Sequence, residues 1–186
     1  MSVVKILGFA GSLRKGSYNK SLLRAAFEVL PAEAELEIFD LEGIPLFNQD
    51  LENQPAERVK DFKAKIRAAD ALLIATPEYN YSMPGVLKNA IDCASRPYGD
   101  NAFEGKPVAI MGASVGMIGS ARAQYHLRQS CVFLNMFPLN RPEVMVPFAH
   151  KNIDPNGKLT DPTAIELIRQ LLEGLVGWTG RLKKGE

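Results

Sequence analysis

This chain of 186 residues has few cysteines, no large excess of charge of either sign and no long apolar runs. The two cysteines, Cys93 and Cys131, lie far apart and outside any C-x-x-C spacing, which excludes a disulfide scaffold and a thiolate metal site. The formal net charge is +1, with both signs spread along the sequence, which argues against nucleic acid or a membrane surface as the main partner. No apolar run is long enough to span a bilayer, and no signal-peptide core is present. We therefore expect a cytoplasmic protein that binds a small molecule.

The chain carries enough apolar residues, 46% of the total, to bury a core without help from disulfides or metals. A domain of this size buries roughly 70% of the surface of its unfolded chain. Internal repeats, low-complexity tracts and Pro/Gly/Ser linkers are absent from the sequence. We therefore expect a single domain over residues 1–186.

Apolar residues change their spacing repeatedly along the chain, and the change predicts an α/β fold. Five short apolar runs are typical of strands, at residues 3–10, 35–41, 70–76, 107–113 and 141–147. The segments that follow them have helical spacing, at about residues 22–30, 59–69, 86–94, 119–134 and 165–176. Alternation of this kind predicts a five-stranded parallel sheet that helices cover on both faces. Ligands of such sheets bind at the carboxyl ends of the strands, so the loops after the first, third and fourth strands are the candidate site.

The first of these loops, "GSLRKGSYN" at residues 11–19, has the composition of an anion site. Its glycines and short polar side chains lie beside the free N–H groups of a helix start, where the helix dipole attracts negative charge. Helix starts ordinarily carry Asp or Glu, whereas this one carries Arg14, Lys15 and Lys20. An external anion would explain the inverted charge. The alternative is a Gly/Ser-rich turn with a solvated basic face.

Two nucleotide-binding motifs are missing from this loop, and their absence narrows the choice of the anion that it can bind. Ser17 and Tyr18 stand where a P-loop has its Lys and its Ser or Thr, which argues against an NTPase. Gly8, Gly11 and Gly16 have the wrong spacing for the G-x-G-x-x-G fingerprint of dinucleotide sites. A terminal monophosphate remains as the expected ligand.

The second and third loops have the residues of a platform for a flat ring. In "TPEYNYSMPG", residues 76–85, we expect an irregular backbone whose free amides form hydrogen bonds with the polar edge of a heterocycle. We expect Ser82 to cap the next helix and Pro84 to lie in the first turn of that helix. Tyr79 and Tyr81 offer aromatic surface there, or else they cover a helix end or build an oligomer contact.

In "GASVGMIGS", residues 112–120, glycines allow a ring to approach the backbone, or else they serve tight helix packing. Ser114 can donate a hydrogen bond to the polar edge of such a ring. A phosphate pocket beside a flat slot predicts FMN as the ligand. Neither histidine has a partnered arrangement, so we expect the flavin to carry the chemistry, with no catalytic side chain and no metal.

The same three loops resemble the NADPH-dependent FMN reductase family, in particular its bacterial quinone and chromate reductases. The motifs that carry the resemblance are "GSLRKGSYN", "PEYNYSMPGVLKNAIDCASR" and "SVGMIGSARAQYHLR". The resemblance extends from the first strand to about Glu143 and implies a flavodoxin-like three-layer fold with strand order 2-1-3-4-5. It also implies that the protein is an enzyme with NADPH or NADH as co-substrate.

Carried over position by position, the resemblance assigns twelve residues to FMN. Those for the phosphate are Ser12, Arg14, Gly16, Ser17 and Asn19. Those for the ring are Pro77, Glu78, Tyr79, Asn80 and Tyr81, largely through backbone groups, with Ser114 and Gly116 on the other side.

The activity that the resemblance implies is hydride transfer from NAD(P)H to FMN, followed by electron transfer to quinones, with azo compounds and chromate as further acceptors. The alternative is a flavodoxin-type electron carrier without turnover, although such carriers are usually acidic. The resemblance also implies a homodimer or homotetramer, with Arg96, Arg122, Tyr125 and Glu143 as candidate interface groups. The sequence leaves the choice between NADH and NADPH open.

Overall fold

A six-stranded sheet forms the centre of the computed structural model, which describes residues 3–184. The ends of the predicted domain, residues 1–2 and 185–186, lie outside these described residues. The strands are β1 (Val4–Ala10), β2 (Ala34–Phe39), β3 (Ala71–Ala75), β4 (Pro107–Ala113), β5 (Phe137–Pro138) and β6 (Val144–Val146). All paired strands are parallel, and their order is β2-β1-β3-β4-β5, with β6 also paired to β4. The predicted order 2-1-3-4-5 of a flavodoxin-like fold is therefore confirmed.

Helices follow the strands as the alternation predicted. They are α1 (Tyr18–Glu28), α2 (Glu57–Ala68), α3 (Gly85–Ala94), α4 (Ala121–Phe133), α5 (Ala149–Asn152) and α6 (Pro162–Lys183), with a 3₁₀ turn at Gln49–Leu51. Each of the five long helices overlaps one of the five predicted helical segments, although most of their ends differ by one or more residues. The short α5 and the 3₁₀ turn were not predicted, because a single turn contains too few residues to show a period.

The sheet separates two hydrophobic cores, which explains why β3 and β4 are apolar at every position. One core lies between the sheet and helices α1 and α6, and it includes Leu22 and Leu172. The other lies between the sheet and helices α2, α3 and α4, and it includes Phe62 and Leu127. Because successive side chains of a strand point to opposite faces, a strand covered on both sides must be apolar throughout.

The fifth predicted strand is wrong in its bounds, because two short strands replace the single strand expected at residues 141–147. β5 pairs with the beginning of β4 and β6 pairs with its end, so that both share one side of the same strand. Proline explains the interruption, since Pro138 and Pro142 have no N–H to donate to a ladder. The apolar pattern of residues 144–146 was read correctly, but the sequence signal extended the strand too far towards its N-terminus.

The parallel arrangement brings the ends of β1, β3 and β4 to one edge of the sheet, where the three candidate loops follow them. Gly11 N–H donates to the carbonyl of Ala75 at 2.9 Å, and Thr76 N–H donates to the carbonyl of Met111 at 2.9 Å. The first residues of the loops are thus still in register with the sheet. Across residues 3–184, no helix is both long and apolar enough to cross a membrane.

The aromatic cluster around Phe62 gives a test of the core between the sheet and helices α2, α3 and α4. The Phe62 ring stacks on Phe39 at 4.9 Å between centroids and meets Phe9 edge-on at 5.2 Å. We expect Phe62→Ala to lower the free energy of unfolding by about 3–5 kcal/mol, because it leaves a cavity in a packed core. Phe27→Ala on α1 is the matched control, since Phe27 is 61% exposed. Urea unfolding measures both, and equal losses would contradict this description of the core.

Candidate functional site

The first loop, residues 11–17, ends in a helix start whose polar groups face inward. Ser12, Ser17 and Asn19 are all buried, with 4%, 2% and 2% of their surface exposed. The Ser17 hydroxyl accepts a hydrogen bond from Lys20 N–H at 3.3 Å and so caps α1. The N–H groups of Tyr18 and Asn19, in the first turn, have no acceptor within the helix. The first turn of α1 carries no acidic residue, as the sequence predicted.

The side chain of Asn19 has a different role from the phosphate contact that the resemblance implied for this residue. Its Nδ2 donates to the carbonyl of Ala113 at 3.0 Å, and its Oδ1 accepts from Ala113 N–H at 3.0 Å. The amide group therefore joins the start of α1 to the end of β4. Within this residue, the backbone N–H is the group left for an anion.

The cations of the first loop divide into one that is paired and two that face solvent. Lys20 forms an ion pair with Asp40 at 2.6 Å, at the end of β2. Arg14 and Lys15 are exposed, and the guanidinium carbon of Arg14 lies 5.6 Å from the centroid of the Tyr18 ring. Positive charge therefore remains at the mouth of the loop, close to the free N–H groups of the helix start.

The second loop, residues 77–84, contains a tight turn within the segment expected to be irregular. Tyr79 and Ser82 exchange two backbone hydrogen bonds of 3.0 Å, and the two residues between them, Asn80 and Tyr81, have φ of 50° and 67°. Positive φ at both central positions is typical of a type I′ turn, which Asn tolerates well and Tyr tolerates poorly. The backbone amides of Asn80 and Tyr81 stay available to a ligand, whereas that of Tyr79 is used by the turn.

Ser82 and Pro84 also differ from their predicted roles at the start of α3. Pro84 is itself the N-cap residue, and the helix has no side-chain cap. The Ser82 hydroxyl lies 2.9 Å from Nδ1 of His126, on α4. Ser82 therefore contacts the neighbouring helix instead of its own.

The Glu78 side chain connects the second loop to the start of α4, the helix that directly follows the third loop. Helix α4 contains no acidic residue of its own. The Glu78 carboxylate accepts from the N–H groups of Arg122 at 3.0 Å and Ala123 at 3.3 Å, in the first turn of α4. The same carboxylate forms an ion pair with the Arg122 guanidinium, and this hydrogen bonding raises the pKa of Arg122 above its ordinary value. The Glu78 side chain is 7% exposed, so the contacts are largely shielded from water. Glu78 therefore acts as a cap for α4 from a separate loop.

Tyr81 completes this arrangement at the surface. The guanidinium carbon of Arg122 lies 3.4 Å from the centroid of its ring, within the range of a cation–π contact. Tyr81 and Tyr79 remain 68% and 48% exposed. The second loop thus presents two aromatic side chains to solvent at the edge of the sheet, and Tyr81 also covers the first turn of α4, which is one of the alternatives that the sequence left open.

The third loop, residues 114–120, is attached to the segment after β6. Ser114 N–H donates to the carbonyl of Val146 at 3.1 Å, and the carbonyl of Ser114 accepts from Ala149 N–H at 2.9 Å. The Ser114 hydroxyl is close to the carbonyl of Gly116 at 3.4 Å. Ser114 is half-buried and Gly116 is exposed, so both are positioned at the surface of the loop.

The glycines at the end of β4 and in the third loop serve two purposes, and the sequence did not separate them. A Cβ at Gly112 would lie 2.3 Å from the carbonyl oxygen of Thr76, and one at Gly119 would lie 2.5 Å from the Met145 backbone. These two glycines are required for close packing within the protein, which is the alternative that the sequence left open. A Cβ at Gly116 would meet only Ser114 Oγ, at 3.7 Å, so this glycine is the one that leaves space for a ligand.

A cavity of about 110 Å³ lies where the three loops meet. Its volume suits a phosphate group and the first atoms of the ligand that are attached to that phosphate. The hydroxyl groups of Ser12 and Ser17 and the guanidinium of Arg14 line one side of the cavity. Residues from the other two loops close it, namely Pro77, Glu78, Tyr79, Ala113, Ser114 and Val115. The structure therefore brings eight of the twelve assigned residues to this cavity. Of the other four, Gly16 and Gly116 lie in the first and third loops beside it, and Asn80 and Tyr81 lie at the tip of the turn in the second loop.

Sequence reasoning missed the apolar side chains of the third loop. Val115, Met117 and Ile118 are 59%, 74% and 40% exposed. Apolar residues in a loop after a buried strand were the available signal, but they were overlooked beside the glycines. They give this side of the site an apolar rim.

The thiols lie apart from this chemistry. Cys93 and Cys131 are both buried, and burial raises the pKa of Cys131 to about 11, so its thiol stays protonated at neutral pH. Burial also raises the pKa of Cys93. Within the described residues, no group of His, Cys, Asp and Glu side chains could hold a metal ion.

A parallel sheet of this order, with a phosphate-sized cavity at its carboxyl edge and aromatic residues beside it, defines a flavodoxin-like protein that binds a flavin mononucleotide. Comparison with known proteins supports this class. The family model described as NADPH-dependent FMN reductase matches residues 4–151. An NAD(P)H-dependent FMN reductase from Pseudomonas aeruginosa is 55% identical over 183 residues, which cover 97% of each chain.

Two further similarities point the same way. A 2-hydroxy-1,4-benzoquinone reductase from Burkholderia sp. is 42% identical over 175 residues, or 94% of this chain and 96% of that protein. Among solved structures, a flavoenzyme NAD(P)H:(acceptor) oxidoreductase from Paracoccus denitrificans has a TM-score of 0.87 and 34% identity, covering 96% of this chain and 98% of that one. The chain belongs to the NADPH-dependent FMN reductase family. It is thus an FMN-dependent oxidoreductase that uses NAD(P)H as co-substrate.

The exposed cation and the capping hydroxyl of the first loop give a test of the phosphate site. We expect Arg14→Ala/Ser17→Ala to raise the Kd for FMN by about a hundredfold or more, because the double variant loses two hydrogen bonds to a charged group, which contribute about 1.5–3 kcal/mol each. Quenching of FMN fluorescence measures the Kd. Arg169→Ala, on the exposed face of α6, is the control. An apoprotein variant that no longer folds would instead make the loop structural.

The role of Glu78 as a cap gives a second test. Glu78→Gln keeps the size of the side chain but removes the charge that faces Arg122 and the start of α4. We expect the free energy of unfolding to fall by about 1–3 kcal/mol and FMN to bind about tenfold more weakly, because the second and third loops lose their connection. Urea unfolding and FMN titration measure the two effects. Glu173→Gln, at an exposed ion pair of α6, should change neither.

Proposed function

We propose that this chain reduces quinones with NAD(P)H through bound FMN, as a single domain over residues 1–186. The observation that carries the proposal is the meeting of three loops around one phosphate-sized cavity, with exposed aromatic and apolar side chains beside it. The family and the benzoquinone reductase among its relatives support the same acceptor class.

The first loop would hold the phosphate end of the cofactor. Ser12 and Ser17 can donate their hydroxyl protons, Arg14 can form charge-assisted hydrogen bonds, and the backbone N–H groups of Gly16 and Asn19 lie around the helix start. The lack of an acid in the first turn of α1 removes the group that would repel a phosphate dianion. These features fit the terminal monophosphate of FMN better than a pyrophosphate.

The second and third loops would hold the ring. Pro77 is buried and fixes the exit from β3, while Asn80 and Tyr81 present backbone amides at the tip of the turn. Such N–H groups can stabilise negative charge on the polar edge of a flavin. Ser114 and Gly116 would border the ring from the third loop, and the contacts of Glu78 would keep the two loops at a fixed separation.

When bound, FMN supplies the two-electron chemistry, so that NAD(P)H, a proton and a quinone become NAD(P)⁺ and a hydroquinone. The chain's own contribution is to bind and to orient. This scheme requires no acid or base side chain. Both substrates would use the same open side in turn, which predicts a ping-pong cycle.

The exposed side chains around the site favour flat, apolar acceptors. Tyr79, Tyr81, Val115 and Met117 can contact a quinone ring without specific polar recognition. Azo compounds share the flat apolar shape, and we include them, together with chromate, as further acceptors.

An electron carrier without turnover is the second candidate function. Carriers of that kind use a strongly acidic surface to dock on their partners, whereas this chain has a net charge of +1 and cations at its first loop. Steady consumption of NAD(P)H distinguishes the two functions.

We further propose that the protein works in the cytoplasm as a homodimer or homotetramer. Large side chains are exposed beside a cleft of about 590 Å³ on the face of α3 and α4, including Tyr98 at 77% and Phe133 at 79%. The candidate interface groups have partners within the chain, since Arg96 pairs with Glu52 at 2.8 Å and the Tyr125 hydroxyl donates to Glu143 at 3.0 Å. Light scattering after gel filtration measures the subunit number.

Turnover tests the proposed function directly. Purified protein loaded with FMN should oxidise NADPH or NADH continuously in the presence of 1,4-benzoquinone, and double-reciprocal plots should be parallel, as a ping-pong cycle requires. The FMN-free protein is the control and should regain activity when FMN is added. Reduction of the flavin without quinone turnover would favour the carrier, and no oxidation of either nucleotide would refute the proposal.

A further inference from the structure

Phe148, which follows β6, has a backbone conformation that bulky residues rarely adopt. Its φ and ψ are 46° and 43°, in the left-handed region, where a large side chain is an outlier. A residue stays in such a conformation only where the structure around it fixes the backbone, and residues of this kind concentrate at ligand sites. Because 42% of the Phe148 surface is exposed, burial of its ring does not account for this conformation.

Hydrogen bonds to the third loop hold the backbone at Phe148. Phe148 N–H donates to the carbonyl of Gly116 at 3.1 Å, and the next N–H, that of Ala149, donates to the carbonyl of Ser114 at 2.9 Å. Gly116 is the glycine of the third loop that leaves space for a ligand. Phe148 is therefore attached directly to the two residues of the third loop that are assigned to the flavin ring.

Lys151 adds a positive charge beside the Phe148 ring. Its Nζ lies 5.5 Å from the centroid of this ring, within the range of a cation–π contact. Within residues 3–184, Lys151 takes part in no salt bridge. Lys20 and Arg122, by contrast, each pair with a carboxylate, and Arg14 is assigned to the phosphate of FMN. The charge of Lys151 is thus available to a different anion.

The aromatic ring and the ammonium group belong to one short segment. Phe148 immediately precedes α5 and Lys151 lies within it, and residues three apart in a helical turn are neighbours. His150, between them, lines a separate cleft on the far side of the first loop. Phe148 and Lys151 therefore form a pair beside the third loop, distinct from the surface to which His150 contributes.

We propose that Phe148 and Lys151 determine which acceptors the enzyme prefers, by favouring quinones that carry an ionised substituent such as a carboxylate or a sulfonate. This inference rests on the proposed function, whose overall reaction it leaves unchanged. The Phe148 ring would contact the flat quinone, and the ammonium group of Lys151 would attract the anionic substituent. The side chains already proposed to contact the acceptor are aromatic or apolar, so Lys151 would add a charged contact to them.

Equilibrium binding tests the inference without turnover. Protein loaded with oxidised FMN has no electrons to donate in the absence of NAD(P)H, so calorimetry can compare anthraquinone-2-sulfonate with the neutral 2-(hydroxymethyl)anthraquinone. Lys151→Gln should weaken binding of the sulfonate about twofold to fivefold, as expected for an exposed charge pair, and leave the neutral quinone unchanged. Lys151→Arg keeps the charge and should keep the preference. Equal effects on both quinones, or no effect on either, would contradict the charged contact.

Phe148→Leu tests the ring separately. This variant keeps an apolar side chain of similar size, so a loss of binding would come from the missing flat ring and not from packing. Both anthraquinones should bind about threefold to tenfold more weakly, while the preference for the sulfonate remains. Unchanged binding would overturn the inference, and a change in subunit number without a change in binding would make Phe148 a contact between copies instead.

The matched control removes one positive charge from another part of the chain. Lys184, directly after α6, is exposed, and Lys184→Gln should leave the binding of both anthraquinones unchanged. If it weakens binding of the sulfonate as Lys151→Gln does, the effect comes from net charge and the inference is wrong.

Kinetics provide the second readout. The ratio of kcat/KM for 1,4-naphthoquinone-2-sulfonate to that for 1,4-naphthoquinone should fall about twofold to fivefold in Lys151→Gln, relative to the unmodified enzyme. An unchanged ratio in a variant that reduces both quinones would overturn the inference and leave the proposed function intact. If the unmodified enzyme reduces neither quinone, the proposed function fails, and the calorimetry still decides whether Lys151 contacts the anion.

Discussion

The buried amide of Asn19 is the contact on which the geometry of the site depends. It forms two hydrogen bonds of 3.0 Å with the backbone of Ala113, where β4 ends and the third loop begins. These bonds satisfy a donor and an acceptor that would otherwise be buried without partners, at a cost of about 1–3 kcal/mol each. They also fix the start of α1, and with it the anion-binding first turn, relative to the loop that borders the ring.

Glu78 makes the corresponding connection on the other side of the site. The start of α4 offers backbone N–H groups but no acid in its first turn, and Glu78 supplies the acid from the loop after β3. Three loops that are separate in sequence are thereby held together by two polar side chains.

Much of this could be predicted from the sequence, because the main signals are local. The change between strand and helix spacing depends only on burial, so the parallel sheet, the strand order expected for the family and the five long helices were all predicted correctly. The first loop was recognisable because its cations stand where a helix start usually carries acids. Contacts between distant residues gave no comparable signal. Nothing local to Glu78 indicates a helix 44 residues further along, and the bounds of the fifth strand depended on which prolines would leave the ladder.

The division of the edge strand into β5 and β6 has a consequence for how the protein behaves in a crowded solution. An exposed strand with a continuous row of free N–H and C=O groups can recruit a strand from another chain and so begin aggregation. Here the outermost positions are occupied by strands of two and three residues, with prolines at Pro138 and Pro142. Neither piece is long enough to template a foreign strand, so the break protects this edge of the sheet from intermolecular pairing.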